Sequence, residues 1–153
     1  MALPRMHLLE LEDSPRLPRI LRDMMTEYLR WVMDAAGPYD QAAPMLATLL
    51  RDTGTHEVVD LASGGAGPWP RLLPDVEAAL GESLRVTLTD LHPNRGAFAR
   101  AERESGGRIR GHIEPVNAAA PPPGLIGMRT LFTGLHHLPP EQVRGLMRDT
   151  AAR

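Results

Sequence analysis

The segment Asp60-Leu61-Ala62-Ser63-Gly64-Gly65-Ala66-Gly67-Pro68, entered through Val58-Val59 and followed by a helical pattern, restricts the fold of this chain more than any other. An apolar strand that empties into small residues lets a ligand lie against bare backbone at the strand's carboxyl end. There the next helix would present unpaired N–H groups. No side chain between Ala62 and Gly67 is larger than serine. The run points to a pocket of nucleotide type, with a tight strand-to-helix turn as the plainer alternative.

The rest of the chain fits this start. His56 to Leu61 reads as strand one, Trp69 to Leu80 as a helix, Arg85 to Thr89 as strand two and Pro93 to about Glu104 as a helix with Pro93 in its first turn. Arg108 to Pro115 is a weaker strand three. Pro121-Pro122-Pro123-Gly124 is an extended connector, Met128 to Thr133 strand four, and the last helix begins near Pro139-Pro140 with Val143, Leu146, Met147 and Ala151 on one face. Pro74 should kink or split the helix after the glycine run. Alternating strands and helices with short links imply an α/β fold with a parallel sheet and right-handed crossovers.

Before strand one, Leu17, Ile20, Leu21, Met24, Met25, Tyr28 and Val32 recur at helical spacing, which predicts an amphipathic helix from about Pro18 to Met33 with that stripe buried. Gly37-Pro38 ends it, and a shorter helix covers Pro44 to Arg51. Residues 1–55 therefore form an N-terminal helical cap and 56–153 the sheet domain, together one compact unit. Tyr39, in the Gly-Pro loop, is a candidate lid contact or an ordinary packed tyrosine.

Composition removes several classes. The formal charge is −2, with acids and arginines scattered evenly, so no basic stripe supports nucleic-acid binding. No apolar run reaches membrane-spanning length and the start lacks a signal-peptide core, which suggests a cytoplasmic protein without a membrane partner. Cysteine is absent, which excludes disulfides, thiolate metal sites and cysteine nucleophiles. All 17 basic residues are arginine. Without lysine there is neither a P-loop nor a pyridoxal Schiff base.

Asp90 ends strand two a little over twenty residues beyond the glycines, where an acid can accept from both ribose hydroxyls of a nucleoside. Capping the helix that follows is its alternative role. The dinucleotide fingerprint does not fit, because counting from Gly64 its second and third glycine places hold Ala66 and Trp69.

Taken together, Asp60 to Pro68, Asp90 and Arg129-Thr130-Leu131-Phe132-Thr133-Gly134-Leu135-His136-His137 resemble the class I S-adenosylmethionine-dependent methyltransferases. The likeness is nearest to bacterial members with a DL-small-SGGGGP loop and a His-His pair after strand four, and it extends to Leu9-Glu10-Leu11-Glu12-Asp13. It implies a Rossmann-like sheet of order 3-2-1-4, and S-adenosylmethionine as cofactor. Asp60 would stand near the cofactor's amino group, Ala62, Ser63, Gly64, Gly65, Ala66 and Gly67 around its methionine portion, Asp90 at the ribose and Asn117 at the adenine edge. Ala62 and Ala66 replace positions that are often glycine, so each methyl should crowd the ligand path.

The family sheet has seven strands and four are countable here, so the C-terminal strands are expected to be missing. The exposed edge of strand four would then be a surface for homo-oligomerisation. His136 or His137 could act as general base toward a small-molecule acceptor, or serve as ordinary structural histidines; adjacent residues on an extended chain cannot chelate one metal. Glu141 could pair with His137 or be a helix-start acid. Methyl transfer to a small molecule is the first functional expectation, and a catalytically inactive Rossmann-like binding or assembly module the second.

Overall fold

The computed structural model of the chain describes residues 18–132 and 134–151. Four strands, β1 (Glu57–Asp60), β2 (Arg85–Leu88), β3 (Ile109–Gly111) and β4 (Met128–Thr130), form one sheet of order β3-β2-β1-β4. All three pairings are parallel: Val58 stands opposite Val86 and Met128, and Val86 opposite Ile109. Helices α1 (Arg19–Ala36), α2 (Ala43–Thr53), α3 (Trp69–Leu80), α4 (Arg95–Glu104) and α5 (Pro140–Ala151) flank it. The molecule is thus an α/β, Rossmann-like sheet in the expected strand order. Among the described residues no helix is long and apolar enough to cross a membrane.

Alternation along β1 divides the core, because successive strand residues face opposite sides. Val58 packs with Leu46 and Leu50 of α2, with Trp69, Leu72 and Val76 of α3, and with Val86, Phe98 and Ile109. Val59 and Leu61 pack on the other face with Ala118 and with Leu146 of α5. Two crossovers, through α3 and α4, serve the first face. The link from β3 to β4 has neither helix nor strand, as the proline run suggests.

α3 spans the residues expected of it and is not split at Pro74, which lies within one continuous helix. The ring removes one interior N–H, while Trp69, Leu72, Leu73 and Val76 on the buried face hold both halves against the sheet. α4 starts at Arg95, two residues later than expected. Asn94 caps it, its Oδ1 accepting the Ala97 N–H at 3.0 Å, so Pro93 lies outside the helix.

The largest departure is α1. Most of its apolar stripe faces outward: Ile20 is 74% exposed, Met24 63% and Tyr28 64%, with Leu21 and the neighbouring Trp31 also exposed, while Met25 and Val32 are partly buried. Tyr28, expected in the core, instead stacks on Trp31 at 6.3 Å between ring centroids. Polar contacts decide which face is held. Thr26 Oγ1 accepts from Asn94 Nδ2 at 3.2 Å, and Glu27 accepts from Arg100 Nη2 at 2.5 Å. A Cβ on Gly65 would come within 2.9 Å of the Thr26 carbonyl, so the helix rests directly on the glycine loop. On α5 Leu146 is buried and Val143 partly so, but Met147 of the expected face is 62% exposed.

Candidate functional site

A cavity of about 520 Å³ opens at the carboxyl ends of β1, β2 and β4, between the sheet and α1. This is the switch point of an open parallel sheet, where β1 is flanked by β2 on one side and β4 on the other. The size falls in the ~300–1,000 Å³ range of small-molecule sites.

Asp60 forms its floor. The carboxylate is buried at the end of β1 yet fully paired: Oδ2 accepts from Ser63 Oγ at 2.7 Å and Oδ1 from Thr130 Oγ1 at 2.7 Å. Thr130 Oγ1 in turn accepts from the buried Trp69 indole at 3.3 Å. One chain of bonds therefore joins β1, β4 and α3 beneath the cavity. Burial is the dominant influence on Asp60 and lifts its pKa to about 6, against the lowering effect of the Ser63 and Thr130 hydroxyls.

Asp90, just past β2, holds the loop from the other side. Its Oδ2 accepts the Gly64 N–H and its Oδ1 the His92 N–H, each at 2.8 Å. It does not cap α4, a role that Asn94 fills. The Thr89 N–H donates to the Asp60 carbonyl at 2.9 Å and the Ser63 N–H to the Thr89 carbonyl at 2.9 Å, so the ends of β1 and β2 are fixed to each other.

The small residues of the loop serve different ends. Ala62 and Ala66 sit at φ 55° and 89°, in the left-handed region, which costs a residue with a Cβ about 1–2 kcal/mol. A Cβ on Gly67 would lie 3.2 Å from Asp60 Oδ2. Eight of the nine residues expected around a cofactor line the cavity: Asp60, Ala62, Ser63, Gly64, Gly65, Gly67, Asp90 and Asn117. Ala66 does not. It is 2% exposed and its methyl packs into the core, so only Ala62 reaches the ligand path.

The start of α3 also differs from expectation. Pro68 and Pro70 carry no N–H, and the Arg71 and Leu72 N–H groups donate back to the Pro68 carbonyl at 3.1 and 2.9 Å. This helix offers few donors to a ligand. Asn117 lines the cavity, but its Oδ1 already accepts the Ala119 N–H at 2.9 Å, leaving one lone pair and the amide donors.

His136 and His137 close a 3₁₀ turn, Gly134–His137, so the pair is not extended; their side chains lie outside the described residues. So does the segment Leu9 to Asp13. Glu141 is exposed in the first turn of α5, the position of a helix-start acid.

Comparison with protein-family models, with curated proteins and with solved structures returns no match for this chain.

The remaining walls come largely from residues that no motif marks, Phe132 and Gly134 of the 129–137 segment excepted. Arg22, Thr26, Leu29, Arg30 and Met33 descend from α1, His92 stands beside Asp90, and Tyr39, Phe132 and Leu138 close the β4 side. The 3.6-residue spacing of Arg22, Thr26, Leu29, Arg30 and Met33 was the available signal, masked by the stronger apolar stripe on the opposite face. Tyr39 lies against Phe132, with centroids 4.9 Å apart and planes at 69°, and packs partly buried against the core, as an ordinary packed tyrosine would, while also lining the cavity.

Proposed function

We propose that the chain is a class I S-adenosylmethionine-dependent methyltransferase acting on a small molecule. The observation that carries this reading is the charge character of the strand ends. Two carboxylates, Asp60 and Asp90, line the cavity at the strand ends with Arg22 and Arg30 across from them on α1, while the α3 N-terminus, where a phosphate would be held, lacks the donors of Pro68 and Pro70. A nucleoside with a cationic tail suits such a wall, and a nucleoside diphosphate does not.

In this reading Asp90 accepts the ribose hydroxyls with the lone pairs that Gly64 and His92 leave over. Asp60 faces the ammonium group, the loop from Ala62 to Gly67 follows the methionine chain without contact from Ala66, and Arg30 above the loop answers the carboxylate. Asn117 meets the adenine edge. Held there, S-adenosylmethionine would supply an electrophilic methyl for an acceptor lone pair, the carbon–sulfur bonding pair staying with sulfur and the acceptor's proton going to solvent. The residues of the chain contribute alignment and a site shielded from water.

Calorimetric titration tests this. S-adenosylhomocysteine should bind at one saturable site, with adenosine diphosphate at least tenfold weaker. Equal binding of the diphosphate, or no binding of S-adenosylhomocysteine by folded chain, sinks the reading. Ala62, a cavity-lining residue at a place often glycine in the resembled family, and the engaged Asn117 oxygen favour a second reading, an inactive Rossmann-like binding module. That module would hold S-adenosylmethionine without passing its labelled methyl to a panel of small acceptors.

A further inference from the structure

The cavity has two chemically different halves. Toward β2 and β3 it carries Asp90, His92 and Asn117; toward β4 the described walls are Met33, Tyr39, Phe132 and Leu138, all uncharged. Arg30, one turn before Met33, has its Nε 3.7 Å from Glu27 Oε2 and its Cβ beside Gly65 of the loop, on the cofactor side of the cavity in the reading above. Arg22 lies three turns before Met33, roughly 16 Å along the axis at 1.5 Å per residue. The four described side chains that line the β4 side thus carry no charge, while the arginines of the cavity, Arg22 and Arg30, enter from α1 above the loop and toward its start.

This half is also rigidly built. Phe132 is held edge-on by two rings, Tyr39 at 4.9 Å and the buried Trp69 at 6.2 Å. The turn that carries Tyr39 is fixed at both ends. Gly37 closes α1 in the left-handed conformation with its N–H on the Met33 carbonyl at 2.9 Å, and Asp40 pairs with Arg71 of α3 at 2.5 Å. Aromatic walls set in place before binding select flat apolar partners at little ordering cost, and the thioether of Met33 adapts to ring faces.

We propose that the β4 half seats the methyl acceptor and that the acceptor is a neutral, planar, largely apolar molecule of phenol or indole type, with Tyr39 and Phe132 setting that preference. The proposal rests on the methyl-transfer reading of the same cavity. Of the four described side chains on this side only Tyr39 carries a hydrogen-bonding group.

The test titrates the full chain, saturated with S-adenosylhomocysteine, with 2-naphthol and with 2-naphthoate, which share a ring system and differ in charge at neutral pH. Naphthol should bind at least tenfold tighter than naphthoate. Leu138→Trp, which fills the half, should weaken naphthol at least tenfold, and Phe132→Leu, which keeps an apolar side chain but removes the ring, at least threefold, while S-adenosylhomocysteine affinity changes less than threefold in both. Naphthoate binding as tightly as naphthol, or naphthol binding indifferent to both substitutions, overturns the proposal. Should S-adenosylhomocysteine not bind while naphthol binds alone and is displaced by Leu138→Trp, the methyl-transfer reading fails and the acceptor assignment with it, but the apolar preference of this half stands as a separate fact.

Discussion

Asp90 Oδ2 accepts the backbone N–H of Gly64 at 2.8 Å, so the acid that ends β2 clasps the loop that leaves β1. Its second oxygen takes the His92 N–H. One carboxylate thus fixes two segments of the cavity wall while keeping lone pairs for a ligand, which joins loop geometry to binding in a way that substitution can expose.

Asp90→Ala removes both acceptors. The loss of two charge-assisted bonds at a half-buried site should lower unfolding free energy by about 2 kcal/mol. S-adenosylhomocysteine should bind at least tenfold more weakly. Urea denaturation and calorimetry read the two effects separately. A destabilised variant with unchanged affinity would remove Asp90 from the ribose and leave it a purely structural clasp.

The raised pKa of Asp60 sets a pH dependence. The folded chain holds this proton up to about pH 6, whereas the unfolded chain releases it near the ordinary 3.8. Between those values the folded state binds more protons, so the contribution of Asp60 to stability is full below about 3.8 and is lost as pH rises through 6. At neutral pH the deficit is about 3 kcal/mol. Asp60→Asn should therefore stabilise the chain at pH 7 and gain nothing at pH 4, as measured by denaturant midpoints. Affinity for an ammonium-bearing ligand should run the other way, rising from pH 5 to 7.5 in the wild-type chain and staying flat in Asp60→Asn.

Ala62 occupies a left-handed conformation at φ 55° and is only partly buried. Ala62→Gly relieves that strain at the cost of unfolded-state entropy, for a net gain of about 0.5–1 kcal/mol. It also opens the ligand path. Thermal unfolding should shift upward by a few degrees, with S-adenosylhomocysteine affinity equal or tighter. A fall in midpoint would show that the Ala62 methyl, which packs beside Leu131 and Leu138, outweighs the strain.

Gly111 in β3 is pressed against α4: a Cβ there would stand 2.5 Å from Phe98 Cβ and 2.6 Å from its ring. Phe98 is buried, so the ring has no free side to move toward. Gly111→Ala should cost about 1–3 kcal/mol by overpacking. Gly106→Ala, where nothing lies within 4 Å but φ is 63°, should cost about 1 kcal/mol through backbone strain alone. Chemical denaturation of the pair checks the β3–α4 contact.

Much of the sheet was readable because its signals are local. Val58-Val59 before the small residues, Gly81 stopping α3 in the left-handed conformation, and the proline run between β3 and β4 each act within a few residues. β3 proved shorter than the pattern over 108–115, because the chain turns after Gly111 to donate from Val116 to the Asp90 carbonyl at 2.8 Å. The orientation of α1 was not readable. Periodicity groups residues on a face but does not say which face is held, and here the choice is made by Asn94 and Arg100, 68 and 73 residues from their partners Thr26 and Glu27. The cavity follows the same division: Asp60, Gly64 and Asp90 stand out in sequence, while Tyr39, Phe132 and Leu138 converge only through tertiary packing.

The central claim is that a nucleoside bearing a cationic tail lies across the strand ends between Asp60, Asp90 and Asn117. The most direct measurement is a two-dimensional amide NMR titration of the full chain with S-adenosylhomocysteine. Saturable shifts are expected at Ala62 to Gly67, at Asp90 to His92 and at Val116 to Ala118, with α5 and the outer face of α2 unmoved. An unchanged spectrum at millimolar ligand, or shifts confined to residues away from the strand ends, would contradict it.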